Sequence, residues 1–406
     1  MEQETWDCKL LGQAAGSGNE FEAIIRNLQR LGRCLSVPIT RIQVPYFGRG
    51  PVDHPIISLE DFIRFMLPNH SEKLLGGYKV GSVESQLLLS QFWSRYRRMD
   101  PSHVVFEDFT SLSHVVPLVL YGDEGTGVRK HPVWILAWKP VLFCHTSSWW
   151  RSYLYTVAPH EVYSGYKGGT SMGNACLDAM VGNFVSEAQK LYHQGIAIPG
   201  DASGRLFFAF IGTAGDLPWQ AKVWRQTRHF ECDLCCPYCK ITKDDIADLN
   251  NVSDEGQGHQ PWDHGTLPLL LGVPGFNRMN MYRHDIFHLG PLGIARRFYC
   301  SALVLLCDWG FFEGRDLASR LRAAYGNFRS YCAQVHETPL VKEFTLSNIG
   351  RGSSRSYPDC SFKASDGKLI MDWLQEFLDK PWQFDGRGVL KCLFRACCDY
   401  NDFFRL

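Results

Sequence analysis

The chain has 406 residues, with 42 Lys and Arg against 42 Asp and Glu. That length accommodates two or three domains, or one large domain with insertions. The balanced charge excludes a globally basic nucleic-acid binder, because phosphate neutralisation supplies most non-specific affinity, so any such contact must rest on local patches.

Cysteine is abundant, with 15 copies. The acidic start Met1-Glu2-Gln3-Glu4-Thr5 does not read as a secretory leader, and an odd count then points to reduced thiols or a metal, not a disulfide scaffold. No run is expected to reach the roughly 18 apolar residues of a membrane span. The 12 Trp and 26 Phe favour a dense core over disorder.

Residues 1–110 read as a mainly helical region. Phe21, Ile24, Ile25 and Leu28 share one helical face, and 59–67 and 83–98 have similar spacing. Residues 45–55, rich in Gly and Pro, read as loop. Arg95-Tyr96-Arg97-Arg98 is the best local basic patch, and equally suits a solvated helix end. From residue 113 the pattern changes to strands, predicted at 115–121, 132–143 and 152–157. A helix follows over 172–194, then a strand over 205–212 and a short helix over 217–228.

Three closely spaced strands make an antiparallel meander, and a fourth reached through a helix joins in parallel by a crossover. This is the order of a ribonuclease-H-like core, in which the ends of the first and fourth strands lie side by side. The expected fold class is therefore α/β, a ribonuclease-H-like mixed sheet with a zinc-knuckle insertion and flanking helical regions. The core spans 111–310, with the Cys-rich insertion at 229–280. A polar stretch rich in Gly and Pro, 241–280, reads as surface. A helix is predicted over 285–307, where Pro291 predicts a kink or a displaced start. Residues 311–406 read as mainly helical, with a loop at 350–357.

Both central strands lead into aspartate, at Gly122-Asp123 and at Gly215-Asp216. Carboxylates on adjacent strand ends can share hard divalent cations such as Mg2+ or Mn2+, which take oxygen ligands. Two such ions activate water and stabilise a leaving oxygen in phosphodiester cleavage. Taken singly, each aspartate also suits a turn, and Asp123-Glu124-Gly125-Thr126-Gly127 is a good turn sequence. Gly125-Thr126-Gly127 is not a phosphate loop, since the Gly-Lys-Ser/Thr end is missing.

Cys236-Pro237-Tyr238-Cys239 has the C-x2-C spacing that places two thiolates on one Zn2+. Cys232 and Cys235 form a second pair, but Cys235 and Cys236 are consecutive and their side chains diverge. The preferred zinc set is Cys236 and Cys239 with a distant His, and free buried thiols are the alternative. That His lies in Arg283-His284-Asp285-Ile286-Phe287-His288, where Asp285 and His288 share a helical face. Asp285 then completes the metal-binding acids while His288 ligates zinc or orients a carboxylate. Asp285 also suits a helix N-cap. Glu343 and Asp366 are the other candidates for a third acid, with Asp366 reading first as an N-cap.

The series Gly122-Asp123, Asp216-Leu217-Pro218, Cys236-Pro237-Tyr238-Cys239 and Asp285-Ile286-Phe287-His288 resembles the transposase of CACTA-type DNA transposons, over residues 110–307. That family shows Asp-Gly, Asp-Phe-Pro-Ala, Cys-Pro-Tyr-Cys and Asp-Val-Met-His in the same order. The resemblance implies a DDE/D site with divalent metal, cleavage at transposon ends and transfer of a 3′-hydroxyl into target DNA. It further implies DNA as partner, a nuclear location and a homo-oligomer, with no membrane. One departure is clear: the family continues with Ile-Glu, and this chain with Leu289-Gly290. A non-catalytic, zinc-stabilised interaction module of transposase origin, and a plain nuclease of the same fold, stay open beside the active enzyme.

Overall fold

The apolar runs at 115–121 and 205–212 form the centre of the main sheet. The computed structural model describes residues 26, 37–126, 132–143, 151–166, 173–201, 204–229, 231–239, 241–245, 262, 267–276, 281–351, 357–379 and 388–405. They fall into two compact units, Met1–Arg283 and His284–Leu406. Apart from Arg26, the helix expected over 20–31 lies outside the described residues.

The first unit opens on an antiparallel hairpin, β1 (Thr40–Tyr46) and β2 (Gly50–Ile56). This corrects the reading of 45–55 as loop. Pro45 stands opposite Pro51, and Gly48 and Gly50 supply φ of 73° and 71° for the reversal. A two-stranded sheet consists of edges, so prolines are tolerated where their missing N–H faces outward.

Helix α1 (Leu59–His70) is capped by Ser58 and buries Leu59, Phe62, Ile63, Met66 and Leu67. Helix α2 (Val83–Met99) is capped by Ser82 and buries Leu89, Trp93 and Tyr96. Both match the helical spacing of the sequence. A single turn, α3 (Val105–Asp108), follows.

The main sheet is mixed. Its strands are β3 (Val115–Thr126), β4 (Pro132–Pro140), β5 (Tyr153–Pro159), β6 (Ile196–Ala197) and β7 (Arg205–Gly215). They lie in the order β5-β4-β3-β7-β6, and β8 (Tyr282–His284) also pairs with β7. The β3/β4 and β4/β5 pairs are antiparallel, whereas β3/β7 is parallel. The crossover from β5 to β7 runs through the single turn α4 (His160–Tyr163) and the long helix α5 (Ala175–His193).

Alternation along the strands divides the apolar residues between two faces. Leu118, Leu120, Phe208 and Phe210 pack with Met180, Val181 and Phe184 of α5. Val115, Ala209 and Ile211 pack with Trp93 and Tyr96 of α2. Burying each such large side chain contributes about 1.5–3 kcal/mol. The Trp93 indole N–H also donates to the Val115 carbonyl at 2.8 Å, fixing α2 to the end of β3. On the other face Glu187 of α5 accepts from the Ser58 hydroxyl, the Leu59 N–H and the Tyr155 hydroxyl at 2.9, 2.7 and 3.0 Å. One carboxylate thus ties α5 to the start of α1 and to β5.

The second unit is helical. It contains α7 (Ile286–Leu289), α8 (Ala295–Asp308), α9 (Leu317–Gln334), α10 (Ala364–Leu378) and α11 (Val389–Arg405). The helix expected over 285–307 is present but interrupted by a π-helical turn, Gly290–Ile294. Pro291 has no N–H for the α-helical ladder, and a π-bulge absorbs that break without ending the helix. Phe328, Phe344, Ile370 and Trp373 gather against Tyr299, Leu303 and Leu306 of α8.

The expectation that no segment reaches membrane-spanning character does not hold for Gly290–Asp308. These 19 residues are long and apolar enough by length and composition. Half of that stretch is buried inside the protein. All cysteines among the described residues are free, including the buried Cys176, Cys300, Cys307, Cys332, Cys360 and Cys397.

Candidate functional site

In the first unit, the last registered pair between the parallel strands is Gly122 with Gly215. Asp123 is the next residue on β3 and Asp216 the first beyond β7, so backbone pairing alone brings them to the same end of the sheet. Asp123 is not in a turn, as the sequence also allowed. Strand β3 continues past it to Thr126, and Asp123 stands opposite Ile135 of β4. It is therefore held on a paired strand at the point where β7 departs.

Asp216 leaves the sheet with φ −66° and ψ 162° and caps helix α6 (Leu217–Val223). Its Oδ1 accepts the Trp219 N–H at 2.8 Å. Pro218 suits the first helical turn, where its missing N–H is not needed. The helix expected to reach 228 ends five residues earlier. Arg225 adopts φ 47°, which the α-helix does not allow, and its guanidinium meets Asp178 at 2.9 Å and the Leu267 carbonyl at 3.0 Å.

The sequence reading missed what surrounds the two aspartates. Trp219 is fully buried and lies against Gly122 and Gly215. The space a side chain would take at Gly122 is filled by its indole, and at Gly215 by the Gly122 carbonyl with the indole beside it. Glu124 forms an ion pair with Lys222 of α6 and accepts from the Tyr163 hydroxyl at 3.4 Å. Alternation puts Glu124 on the α6 side of β3 with Gly122, and Asp123 on the opposite side. The signal available in the sequence was the repeated Gly-Asp at the two strand ends.

The Cys-rich segment forms a small hairpin. The Cys235 N–H donates to the Ile241 carbonyl at 3.2 Å, and the Lys243 N–H to the Asp233 carbonyl at 2.9 Å. The Cys236 sulfur accepts the Tyr238 N–H at 3.4 Å and also faces the Cys239 N–H and thiol. Backbone N–H groups aimed at a sulfur are what a C-x2-C turn offers a bound thiolate. Burial nevertheless pushes the Cys236 thiol up, with those N–H groups opposing it and the neighbouring Cys239 adding to the effect. The Cys235 thiol turns instead to the Ile241 carbonyl at 3.7 Å. The Tyr238 hydroxyl donates to the Tyr282 carbonyl at 2.8 Å, which anchors the turn to β8.

In the second unit, His288 Nδ1 and Asp285 Oδ2 lie 2.9 Å apart. The shared helical face is thus realised as a bond. The Asp285 carbonyl accepts the Leu289 N–H at 3.0 Å, so its backbone starts α7 while its side chain turns to His288. With Nδ1 engaged, Nε2 is the nitrogen through which this ring could ligate a metal.

The other two acids have different roles. Asp366 is not the N-cap that its position suggested. Helix α10 starts two residues before it, and Asp366 is 2% exposed, accepting the Leu340 N–H at 2.7 Å. Glu343 is exposed, and its backbone carbonyl receives the Asn348 amide at 2.7 Å.

Among the described residues no three of His, Cys, Asp or Glu group as a metal site. Two thiols would fill half of a tetrahedral zinc site, and two carboxylates would leave most positions of an octahedral cation to other ligands. Comparison with family models, with curated proteins and with solved structures finds no match to this chain.

Proposed function

We propose that the chain is a transposase-derived protein whose mixed sheet is a ribonuclease-H-like core for divalent-metal-dependent cleavage and transfer of DNA strands. The observation that carries this reading is the placement of Asp123 and Asp216 immediately beyond the Gly122–Gly215 pair of two parallel strands. The strand order, with a three-strand antiparallel meander and a fourth strand parallel to the first, supports it further. A Mg2+ or Mn2+ ion at these carboxylates would activate water and offset charge on the leaving oxygen. The protein's own contribution is to hold Asp123 on β3, paired with Ile135 of β4, and Asp216 at a helix cap. Zn2+ at Cys236 and Cys239 would be structural. DNA as partner and a nuclear location belong to the same reading.

The test is cleavage of labelled duplex DNA with Mg2+ or Mn2+ by the wild type and by Asp123→Asn and Asp216→Asn. Loss of cleavage in both variants, with unchanged melting, supports the site. Cleavage that survives both substitutions rejects it. The third acid implied by the resemblance, Asp285, is tested by Asp285→Asn in the same assay.

A second reading has one specific observation in its favour. A Cβ at Gly290, where the transposase family has glutamate, would lie 2.5 Å from the Phe404 ring of α11. The chain has filled that space with an aromatic side chain. A domesticated, non-catalytic interaction module would carry such packing, and would show no metal-dependent cleavage in the wild type.

A further inference from the structure

A cluster of groups in the second unit, separate from the aspartates and the Cys-rich hairpin of the first, joins helix α8 to the segment that leads into α10. The Tyr299 hydroxyl and the Cys360 sulfur are 3.1 Å apart, and both residues are buried. The Cys300 thiol hydrogen-bonds the same sulfur, and the Phe362 N–H also points to it. Arg296 adds a positive charge and is itself held by Asp359 at 2.6 Å. Three donors and a cation thus surround one sulfur.

That environment separates the two cysteines. The bond from Cys300, with those from Tyr299 and Phe362 and the charge of Arg296, lowers the Cys360 pKa against the opposing effect of burial. Cys300 is raised, first by its bond to the Cys360 sulfur, then by burial and by the Asp359 charge, with Arg296 opposing. Of the two, Cys360 is the sulfur whose thiolate form these donors favour, and Cys300 is the one favoured as a thiol. Cys176, Cys307 and Cys397 have no such donors, and burial pushes each up to about 12. Thiolate character and exposure together decide which cysteine a peroxide attacks, and Cys360 is 7% exposed where Cys176, Cys300, Cys307 and Cys397 are each 0% exposed.

We propose that Cys300 and Cys360 are a peroxide-sensitive pair that closes to a disulfide between α8 and the segment before α10. The Cys360 thiolate attacks one oxygen of hydrogen peroxide. The O–O bond breaks, hydroxide leaves, and the sulfur becomes a sulfenic acid, oxidised by two electrons as the peroxide is reduced. The Cys300 sulfur then attacks the sulfenic sulfur. The S–S bond forms, and the displaced hydroxyl leaves as water with the Cys300 proton. A thiol reductant reverses the reaction by exchange.

The experiment treats the reduced full-length chain with hydrogen peroxide and maps its cysteines by peptide mass spectrometry. A Cys300–Cys360 cross-linked peptide should form before Cys176, Cys307 or Cys397 is modified, and should vanish on reduction. In Cys300→Ser the sulfenic acid on Cys360 should persist and be trapped by dimedone. Tyr299→Phe, which keeps the ring and removes one donor, should slow cross-linking severalfold and move its pH midpoint upward. Oxidation spread evenly over the buried cysteines would overturn the proposal. So would the absence of the cross-linked peptide, or an unchanged rate in Tyr299→Phe.

Discussion

The indole of Trp219 occupies the space that a side chain at Gly122 would need, although the two residues are 97 positions apart and belong to different elements. The same indole crowds Gly215, the partner of Gly122 in the parallel register. Two glycines at the strand ends thus let one tryptophan of α6 approach the backbone, and Asp216 caps α6. The geometry of the aspartate edge depends on this contact.

Gly122→Ala should destabilise the fold by about 1–3 kcal/mol, the usual cost of overpacking a filled core. In a Trp219→Leu background, which is itself destabilised, the same substitution should cost much less, because the atoms it meets are gone. Urea denaturation of the four proteins in this double-mutant cycle measures the coupling. Additive effects would show that the indole and Gly122 do not interact.

Asp216 has a structural duty as well as its proposed catalytic one, and two substitutions separate them. Asn is as good an N-cap as Asp, so Asp216→Asn should retain stability while removing the negative charge. Asp216→Ala should lose about 1 kcal/mol through the cap alone. Mn2+ binding followed by electron paramagnetic resonance should weaken in both variants, whereas melting should change only in the alanine variant. Equal destabilisation by Asn and Ala would contradict the capping role.

Much of this arrangement is legible in the sequence, for physical reasons that differ between elements. Strands β3 and β7 and helix α5 are apolar over long stretches with clear periodicity, and their order alone implied a parallel β3/β7 pair. The β1–β2 hairpin was hidden because its prolines and glycines, read locally, describe a loop; only pairing with each other makes Pro45 and Pro51 acceptable. Asp366 looked like a cap because the burial that makes it a partner of Leu340 comes from a residue 26 positions away. The Trp219–Gly122 contact and the Tyr299–Cys360 pair have no local signature at all. What periodicity carries is the element; what it omits is which side chain fills a neighbour's missing Cβ.

Zinc binding at the hairpin should be measurable as about one ion per chain, the stoichiometry of a tetrahedral structural site. A double substitution, Cys236→Ser with Cys239→Ser, should lose the ion and lower the melting temperature, since structural zinc contributes folding energy. Binding must displace the thiol protons, and burial favours the protonated form of Cys236, so affinity should fall as pH is lowered. Elemental analysis that finds no zinc in the folded native protein removes the site.

His54 offers a test of the first unit that is independent of any metal. It is buried, with Nδ1 2.7 Å from the Tyr46 hydroxyl and Nε2 2.7 Å from the Thr156 hydroxyl. Thr156 donates its own proton to the Pro55 carbonyl at 2.9 Å, so its oxygen accepts from His54 Nε2–H. In the neutral imidazole Nδ1 then accepts from the Tyr46 hydroxyl. A second ring proton would place a charge in this buried site and turn the tyrosine hydroxyl from donor to acceptor. Burial accordingly lowers the His54 pKa from its ordinary value. The unfolded chain therefore takes up a proton first as pH falls, and the stability due to neutral His54 is lost from about pH 6.5 downward. His103 and His229 are lowered in the same direction, also by burial, so the wild type should lose stability in acid through several sites. His54→Gln removes one of them. Its stability deficit relative to wild type should be larger at about pH 7.5 than at about pH 5. Urea denaturation at the two pH values measures the difference, and a deficit that does not change with pH would mean that His54 is not held neutral by this network.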